Sequence, residues 1–308
     1  MKVCFVGAGS IGKRHIKNWL HLCDGKEIPC EIHLLRSSKR PLEEDIEKIV
    51  HAQFYKEEDL DEYYDAIFIT NPTYLHYDTI KMLKRYSEHF FVEKPVFESD
   101  NRDLSALELP SKNIYYVACP LRYTQPLLYA KRIITNEKVY SVRAISSSYL
   151  PDWRPGTDYR KTYSAHKAEG GGVSIDLIHE WDYLIDFFGY PRNVKKFIGR
   201  YSHLEMDSED LATYIAQYDE KIIELHLDYF GRYAERKLEL RTQDAVYVVD
   251  IINSCIIKNG EVVCKFNEQP NDKYMLEMQN FYNIAFKGAE NRNTLEHALK
   301  VLKVATNP

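Results

Sequence analysis

The sequence predicts an α/β Rossmann domain, a doubly wound parallel sheet, followed by an α+β domain with a large, mainly antiparallel sheet. Three observations carry this expectation. Up to about residue 121, short apolar runs alternate with stretches of helical period. A glycine-rich turn follows the first run at once. Beyond residue 121 the pattern changes to long runs in which apolar and polar residues alternate.

In the first half the apolar runs are Lys2 to Val6, Glu31 to Leu35, Ala66 to Thr70, Phe90 to Glu93 and Ile114 to Ala118. Between them, Ile16, Trp19 and Leu20 mark one helix face, and Leu75, Met82, Leu83 and Tyr86 mark another. An acidic helix is expected over Leu42 to Ile49. A helix over Gln125 to Ile134 opens the second half. Strand-like runs follow at Val139 to Tyr149, Val194 to Tyr201, Leu211 to Tyr218, Ile222 to Phe230, Arg236 to Arg241 and Ala245 to Ile251. Asn259-Gly260 is a two-residue hairpin turn. The change of period sets the expected domains at 1–121, for dinucleotide binding, and 122–308, for substrate binding and oligomerisation. A sheet with helices on one face leaves its other face for solvent or a second subunit, so a homo-dimer or homo-tetramer through the second-half sheet is expected.

The chain has 308 residues, is 44% hydrophobic and carries a formal net charge of -5. No basic field is present to hold nucleic acid or an acidic membrane surface. The amino terminus reaches its glycine turn after a handful of apolar residues, too few for a signal peptide or a membrane span, so a cytoplasmic location is expected. The six cysteines, at 4, 23, 30, 119, 255 and 264, form no C-x-x-C pair and read as reduced, buried small residues, and no metal site is expected.

Gly7-Ala8-Gly9-Ser10-Ile11-Gly12 lies directly after an apolar strand and opens an amphipathic helix. In a G-x-G-x-x-G turn the glycines permit the tight bend, the approach of backbone to a pyrophosphate and close packing of helix on strand; the helix start supplies unpaired N–H groups. Gly7, Gly9, Ser10, Ile11 and Gly12 are therefore candidate cofactor residues. Thr70-Asn71-Pro72-Thr73-Tyr74-Leu75-His76 and Glu93-Lys94-Pro95 each close a strand, at the edge where open parallel sheets bind ligands. This adds Thr70, Asn71, Pro72, His76, Glu93 and Lys94 to the cofactor set and puts Lys94 near the nicotinamide. The Lys94-Pro95 bond is expected to be cis.

With these motifs in order, and with Gly170-Gly171-Gly172 followed by Asp176, His179 and Asp182, the chain resembles the glucose-fructose oxidoreductase and inositol dehydrogenase (Gfo/Idh/MocA) family over its first three fifths. The D-x-x-H-E-x-D run is similar to that of members in nonulosonic acid and other surface sugar pathways. Tyr274 to Gly288 and Thr294 to Ala305 look similar to such proteins' terminal helices. The resemblance implies that Lys94, Asp176 and His179 form the catalytic group. Family members commonly space the Asp and His by four residues; here they are three apart. Helical spacing over Val173 to Phe188 is expected to put Asp176, His179, Glu180 and Tyr183 on one side of a single helix, with the glycines letting substrate approach its start.

The resulting expectation is an NAD(P)-dependent oxidoreductase moving a hydride between nicotinamide and a hydroxyl-bearing carbon of a sugar, sugar acid or nucleotide sugar. The competing readings are a dinucleotide-binding sensor without turnover on the same fold, and a reductase of a non-sugar carbonyl or imine. The polar loop Leu150 to Lys167 supplies Trp153, Arg154, Arg160 and Tyr163 as candidate substrate contacts, joined by Arg122 and Tyr123 just past the last Rossmann strand. NADP is preferred over NAD: the turn Arg36-Ser37-Ser38-Lys39-Arg40 after the second apolar run lacks the carboxylate that binds both ribose hydroxyls, and Arg36 and Ser37 can meet a 2′-phosphate.

Overall fold

Val, Ile and Phe fill the runs that become the first sheet, and a strand apolar on both faces is stable only when covered on both. In the computed structural model, which describes residues 1–306, these runs form β1 (Lys2–Val6), β2 (Glu31–Leu35), β4 (Ala66–Ile69), β5 (His89–Val92) and β6 (Ile114–Val117), with a three-residue edge strand β3 (Ala52–Phe54) that the apolar pattern did not reveal. All pair in parallel in the order β3-β2-β1-β4-β5-β6. Helix α1 (Ser10–Asp24) follows β1, and α3 (His76–Leu83) follows β4. The acidic stretch between β2 and β3 forms only one helical turn, α2 (Glu44–Glu47), shorter than the expected Leu42 to Ile49.

Register decides what this sheet can do. Val6 pairs with Leu35 and Ile69, Ile69 with Val92, and Val92 with Val117. The carboxyl ends of five strands therefore finish level, and Gly7, Arg36, Thr70, Glu93 and Ala118 follow them in a row along one edge.

The second half begins with α4 (Gln125–Asn136) and β7 (Val139–Tyr149), and continues with α5 (Val173–Asp176) and α6 (His179–Phe188). Seven strands follow: β8 (Asn193–Gly199), β9 (Leu211–Gln217), β10 (Ile222–Asp228), β11 (Phe230–Thr242), β12 (Val246–Asp250), β13 (Cys255–Lys258) and β14 (Glu261–Lys265). They form an eight-stranded sheet with β7, in the order β14-β13-β12-β11-β7-β10-β9-β8. Every neighbour pair is antiparallel except β7 with β10. Asn259 and Gly260, both with positive φ, turn β13 into β14 as expected. The chain then forms α7 (Asp272–Lys287) and α8 (Leu295–Thr306).

Two compact units result. One is Met1–Ala118 with Tyr274–Lys300; the other, among the described residues, is Cys119–Lys273 with residues 301–306. The division differs from a single cut after residue 121, because residues 274–300 pack with the first sheet. Phe281 of α7 lies 5.5 Å from Phe68, 5.4 Å from Phe91 and 6.0 Å from both Tyr116 and Trp19, ring centre to ring centre. Asn293 trades two hydrogen bonds with Val117 (2.7 and 2.8 Å) and so covers the open edge of β6. Asn307 and Pro308, assigned from sequence to the second domain, lie outside the described residues. Among the described residues no helix is long and apolar enough to cross a membrane.

In the second unit Trp181, fully buried, meets Tyr214 edge to face at 5.2 Å, and the Tyr214 hydroxyl donates to the Ala305 carbonyl. The helix expected over 173–188 is two helices. Leu177 leaves helical geometry (φ -95, ψ 31), and Ile178 and Glu180 bond three residues back rather than four. The polar loop Leu150 to Lys167 is a chain of single 3-10 turns.

Candidate functional site

Along the carboxyl edge of the first sheet, each glycine of the turn has its own reason. Gly7 has φ +92, which side chains rarely adopt, and a Cβ there would lie 3.1 Å from the Asn71 backbone. At Gly12 a Cβ would come within 2.6 Å of the Gly7 carbonyl and 2.7 Å of Thr70 Oγ1, so helix and turn can touch only without one. Gly9 is different: no heavy atom lies within 4 Å of where its Cβ would be. It opens onto free space at the start of α1, where the amides of Ser10, Ile11 and Gly12 precede the first helical bond, Lys13 N to Gly9 O at 3.0 Å. An open backbone with unpaired N–H groups at a helix start fits a pyrophosphate.

Thr70 donates to the carbonyls of Val6 (3.0 Å) and Gly7 (3.1 Å), fixing the turn to β4. Asn71 donates to Thr79 Oγ1 at 2.8 Å, and Pro72 leads into a 3-10 turn at Thr73–Leu75. Two residues expected at the cofactor are instead internal braces. His76 is 1% exposed, with Nδ1 3.1 Å from the Val96 carbonyl and Nε2 3.0 Å from the Asn71 carbonyl; it ties the turn after β4 to the turn after β5. Burial outweighs these carbonyl contacts and holds its imidazole below the usual histidine range. Glu93 is 7% exposed and directed inward, with Oε1 2.5 Å from His15 Nε2 and Oε2 accepting the Lys94 N–H at 3.0 Å. Burial opposes its charge, but the hydrogen bond from His15 and the charge of Lys94 keep the carboxyl below its usual range. Lys94 follows at the level strand ends, and its bond to Pro95 is cis as expected.

At the end of β2, Arg36 is held by its neighbours. Nη1 donates to Gln53 Oε1 at 2.8 Å and Nη2 to the Arg40 carbonyl at 2.5 Å, while its amide donates to Phe54. Ser37 beside it is exposed, and no carboxylate stands at Leu35, Arg36 or Ser37.

In the second unit Asp176, 4% exposed, collects three hydroxyl donors: Tyr163 on Oδ1 at 2.6 Å, and Ser164 (2.6 Å) and Tyr229 (2.9 Å) on Oδ2. Burial first, and the adjacent carboxylate second, push the Tyr163 phenol far above its ordinary value, so it stays a donor. Ser164 and Tyr229 were not expected here from sequence. Tyr229 ends a run of alternating residues, and nothing local distinguishes it from a core tyrosine. His179 begins α6 three residues after Asp176.

Two of the neighbouring glycines, Gly171 and Gly172, face atoms of the chain itself. A Cβ at Gly171 would lie 2.1 Å from the Tyr163 carbonyl and 2.7 Å from those of Ser164 and His166, and one at Gly172 would strike the Glu209 carboxylate. Gly171 lets the loop's own backbone pack against the start of α5.

Of the residues expected to contact substrate, Arg122 has its guanidinium taken up by a bidentate pair with Asp182 (2.7 and 2.7 Å), and Asp186 is 3.3 Å away. Tyr123 ends the same short turn, Pro120–Tyr123. Arg160 pairs with Asp158 and Glu205 at the surface. Trp153 and Arg154 are better placed: Trp153 meets Tyr229 edge to face at 5.2 Å, and the Arg154 guanidinium lies 5.3 Å from the Tyr163 ring centre. With Leu150, Tyr159, Thr162 and Ser164 these two line a shallow hollow. No group of metal-ligating side chains occurs among the described residues.

Residues 1–117 match the family model described as "Oxidoreductase family, NAD-binding Rossmann fold". That model is the Gfo/Idh/MocA one, and it covers the part of the chain that holds β1 to β6. The Gfo/Idh/MocA match is joined by a curated relative, the uncharacterized oxidoreductase YrbE of Bacillus subtilis, 28% identical over 181 residues, or 58% of this chain. That alignment spans half the relative's own length. Solved structures of similar fold include UDP-N-acetylglucosamine 3-dehydrogenase GnnA from Acidithiobacillus ferrooxidans, with TM-score 0.77 and 17% identity over 99% of this chain and 95% of that one. The WlbA dehydrogenase from Bordetella pertussis, in complex with NADH and UDP-GlcNAcA, gives 0.81 and 17% over 99% and 94%. Myo-inositol 2-dehydrogenase from Lactobacillus plantarum gives 0.77 and 19% over 99% and 95%. At these identities the likeness concerns the fold.

Proposed function

We propose that the chain is an NAD(P)-dependent dehydrogenase acting on a CH–OH group of a sugar, sugar acid or nucleotide sugar. The observation that carries this reading is the common edge of the first sheet: the open glycine turn and Lys94 stand at level strand ends. When bound, the nicotinamide supplies the redox chemistry by taking or giving a hydride. What falls to this chain is to orient the carbon and to move one proton. In this reading His179 is the general acid/base on the reacting oxygen and Lys94 hydrogen-bonds that oxygen. Asp176, its carboxylate fixed by Tyr163, Ser164 and Tyr229, supplies a set negative charge.

The substrate class is read from the side chains of the loop and not from a cavity, since the hollow they line has room for only about one water: Trp153 and Tyr159 offer rings, Thr157 a hydroxyl and Arg154 a charge. A polyhydroxylated ring bearing a carboxylate or diphosphate suits that mixture, and two of the similar structures are named for or hold a nucleotide sugar, whereas the inositol dehydrogenase is named for an uncharged ring. Preference for NADP rests on the missing carboxylate after β2 and on Arg36, held rigid by Gln53 and Arg40. A homo-oligomer through the second sheet rests on the exposed Phe197, Ile215 and Ile222, which share one face of β8, β9 and β10.

The test follows nicotinamide absorbance with both oxidised cofactors against UDP-N-acetylglucosamine, its uronic acid, inositols and simple sugar acids. Reduction with at least one of them is the expected result. Tight cofactor binding with no turnover on any would overturn the reading in favour of a sensor.

A further inference from the structure

His15 occupies a place where the apolar stripe of α1 calls for a hydrocarbon. Its neighbours on that stripe are Ile16, Trp19, Leu22 and Cys23, all buried, and His15 itself is 0% exposed. The ring is clasped edge-on by Phe91 of β5 at 4.9 Å and faces Tyr274 at 6.2 Å. Its Nε2 lies 2.5 Å from Glu93 Oε1, while Nδ1 has no hydrogen-bond partner among the described residues. A carboxylate can only accept, so the ring proton sits on Nε2. A second proton on Nδ1 would be buried without an acceptor.

A buried carboxylate and a buried imidazole cost stability that an apolar pair would not. The two oxygens of Glu93 show what the pair accomplishes. Oε1 takes the proton of His15, on the helix that opens with the glycine turn; Oε2 takes the backbone N–H of Lys94, at 3.0 Å. The Glu93 amide is in turn bonded to the Ile69 carbonyl at 2.9 Å, so the carboxylate swings from a fixed backbone. A continuous strut therefore runs from the second turn of α1, three residues past Gly12, through one carboxylate to the backbone of Lys94.

We propose that His15 is a positioning residue for Lys94, acting through the Glu93 carboxylate and coupling the dinucleotide turn to the lysine. The proposal rests on the dehydrogenase reading only for what Lys94 then does.

The test measures the lysine itself. Wild type, His15→Leu and His15→Gln are labelled with limiting acetic anhydride, with and without NADPH, and the rate at each lysine is read by mass spectrometry. Leucine removes the donor; glutamine keeps an N–H at similar reach. His15→Leu should change the labelling rate at Lys94 by about threefold or more while exposed Lys48 and Lys56 keep theirs, and His15→Gln should restore it. On a substrate found by the absorbance screen, His15→Leu should lower kcat about tenfold with cofactor KM moved by less than about threefold. Should His15→Leu fail to fold, Glu93→Gln, which keeps the shape and one acceptor, is expected to give the same selective change. An unaltered Lys94 rate in a folded variant, or an equal change at all lysines, would overturn the proposal. A selective Lys94 shift with no turnover on any sugar sustains the strut and sinks the dehydrogenase reading.

Discussion

Arg122 and Asp182 form a two-pronged ion pair, with Nε 2.7 Å from Oδ2 and Nη2 2.7 Å from Oδ1, and both side chains are nearly out of solvent. An arginine whose fork is already filled cannot clamp a substrate anion without abandoning a buried carboxylate. Arg122→Ala should therefore destabilise the protein by about 3–5 kcal/mol, the usual cost of stranding one member of a buried pair. Substrate KM should change little in whatever protein remains folded. Urea denaturation and steady-state kinetics check the two halves.

The glycine turn allows one substitution to be set against another. Gly9→Ala meets open space, so its thermal midpoint should match wild type while NADPH affinity, followed by fluorescence titration, falls about tenfold as the methyl group blocks the backbone approach. Gly12→Ala meets the Gly7 carbonyl and Thr70, and should lose stability as well as binding.

His76 gives a pH dependence of known sign. Its folded pKa is depressed by burial below the ordinary 6.5, so between those values the unfolded chain binds a proton that the folded chain refuses. Its contribution is fully present above pH 6.5 and is lost as pH falls toward the folded value, with a slope of at most about 1.4 kcal/mol per pH unit. His76→Gln should flatten that part of the stability profile in denaturant titrations at stepped pH.

If Lys94 and His179 handle the proton of the reacting hydroxyl, Lys94→Ala and His179→Ala should each lower kcat by about 100-fold or more with cofactor affinity largely kept. Near-normal turnover in either variant removes that residue from the mechanism.

Arg36→Ala should weaken NADP selectively and leave NAD nearly untouched, since only the former offers the 2′-phosphate. Calorimetric titration of both cofactors against both proteins decides it. Equal wild-type affinities for the two would end the claim.

The parallel sheet was legible because its strands are buried on both faces and read as apolar runs: β1 and β2 match expectation residue for residue, and the others to within one. β3 was not, being three half-buried residues at an edge. Motifs located the turn, Thr70 and Lys94, because those depend on neighbours in sequence. They could not show which way Glu93 and His76 point, since inward and outward orientations leave the same local pattern. The fork of Arg122 closes on Asp182, 60 residues away, and Tyr229 reaches Asp176 across 53; such pairings are created by the fold. His15 did leave a trace, a polar residue inside an apolar helix stripe.

Gly171 sits against the carbonyls of Tyr163, Ser164 and His166, with no room for even a methyl group. The loop from 150 to 172 thus has clasped ends and an open stretch between them: Leu150 is buried and bonded to the Tyr229 carbonyl, whereas Arg154 to Thr157 are exposed, and a Cβ at Gly156, where φ is +78, would meet no atom within 4 Å. Insertions and exchanges at 154–157 leave the clasp, and with it the Tyr163 and Ser164 bonds to Asp176, undisturbed. The architecture separates a part of the loop that can diversify from a part that must be inherited whole.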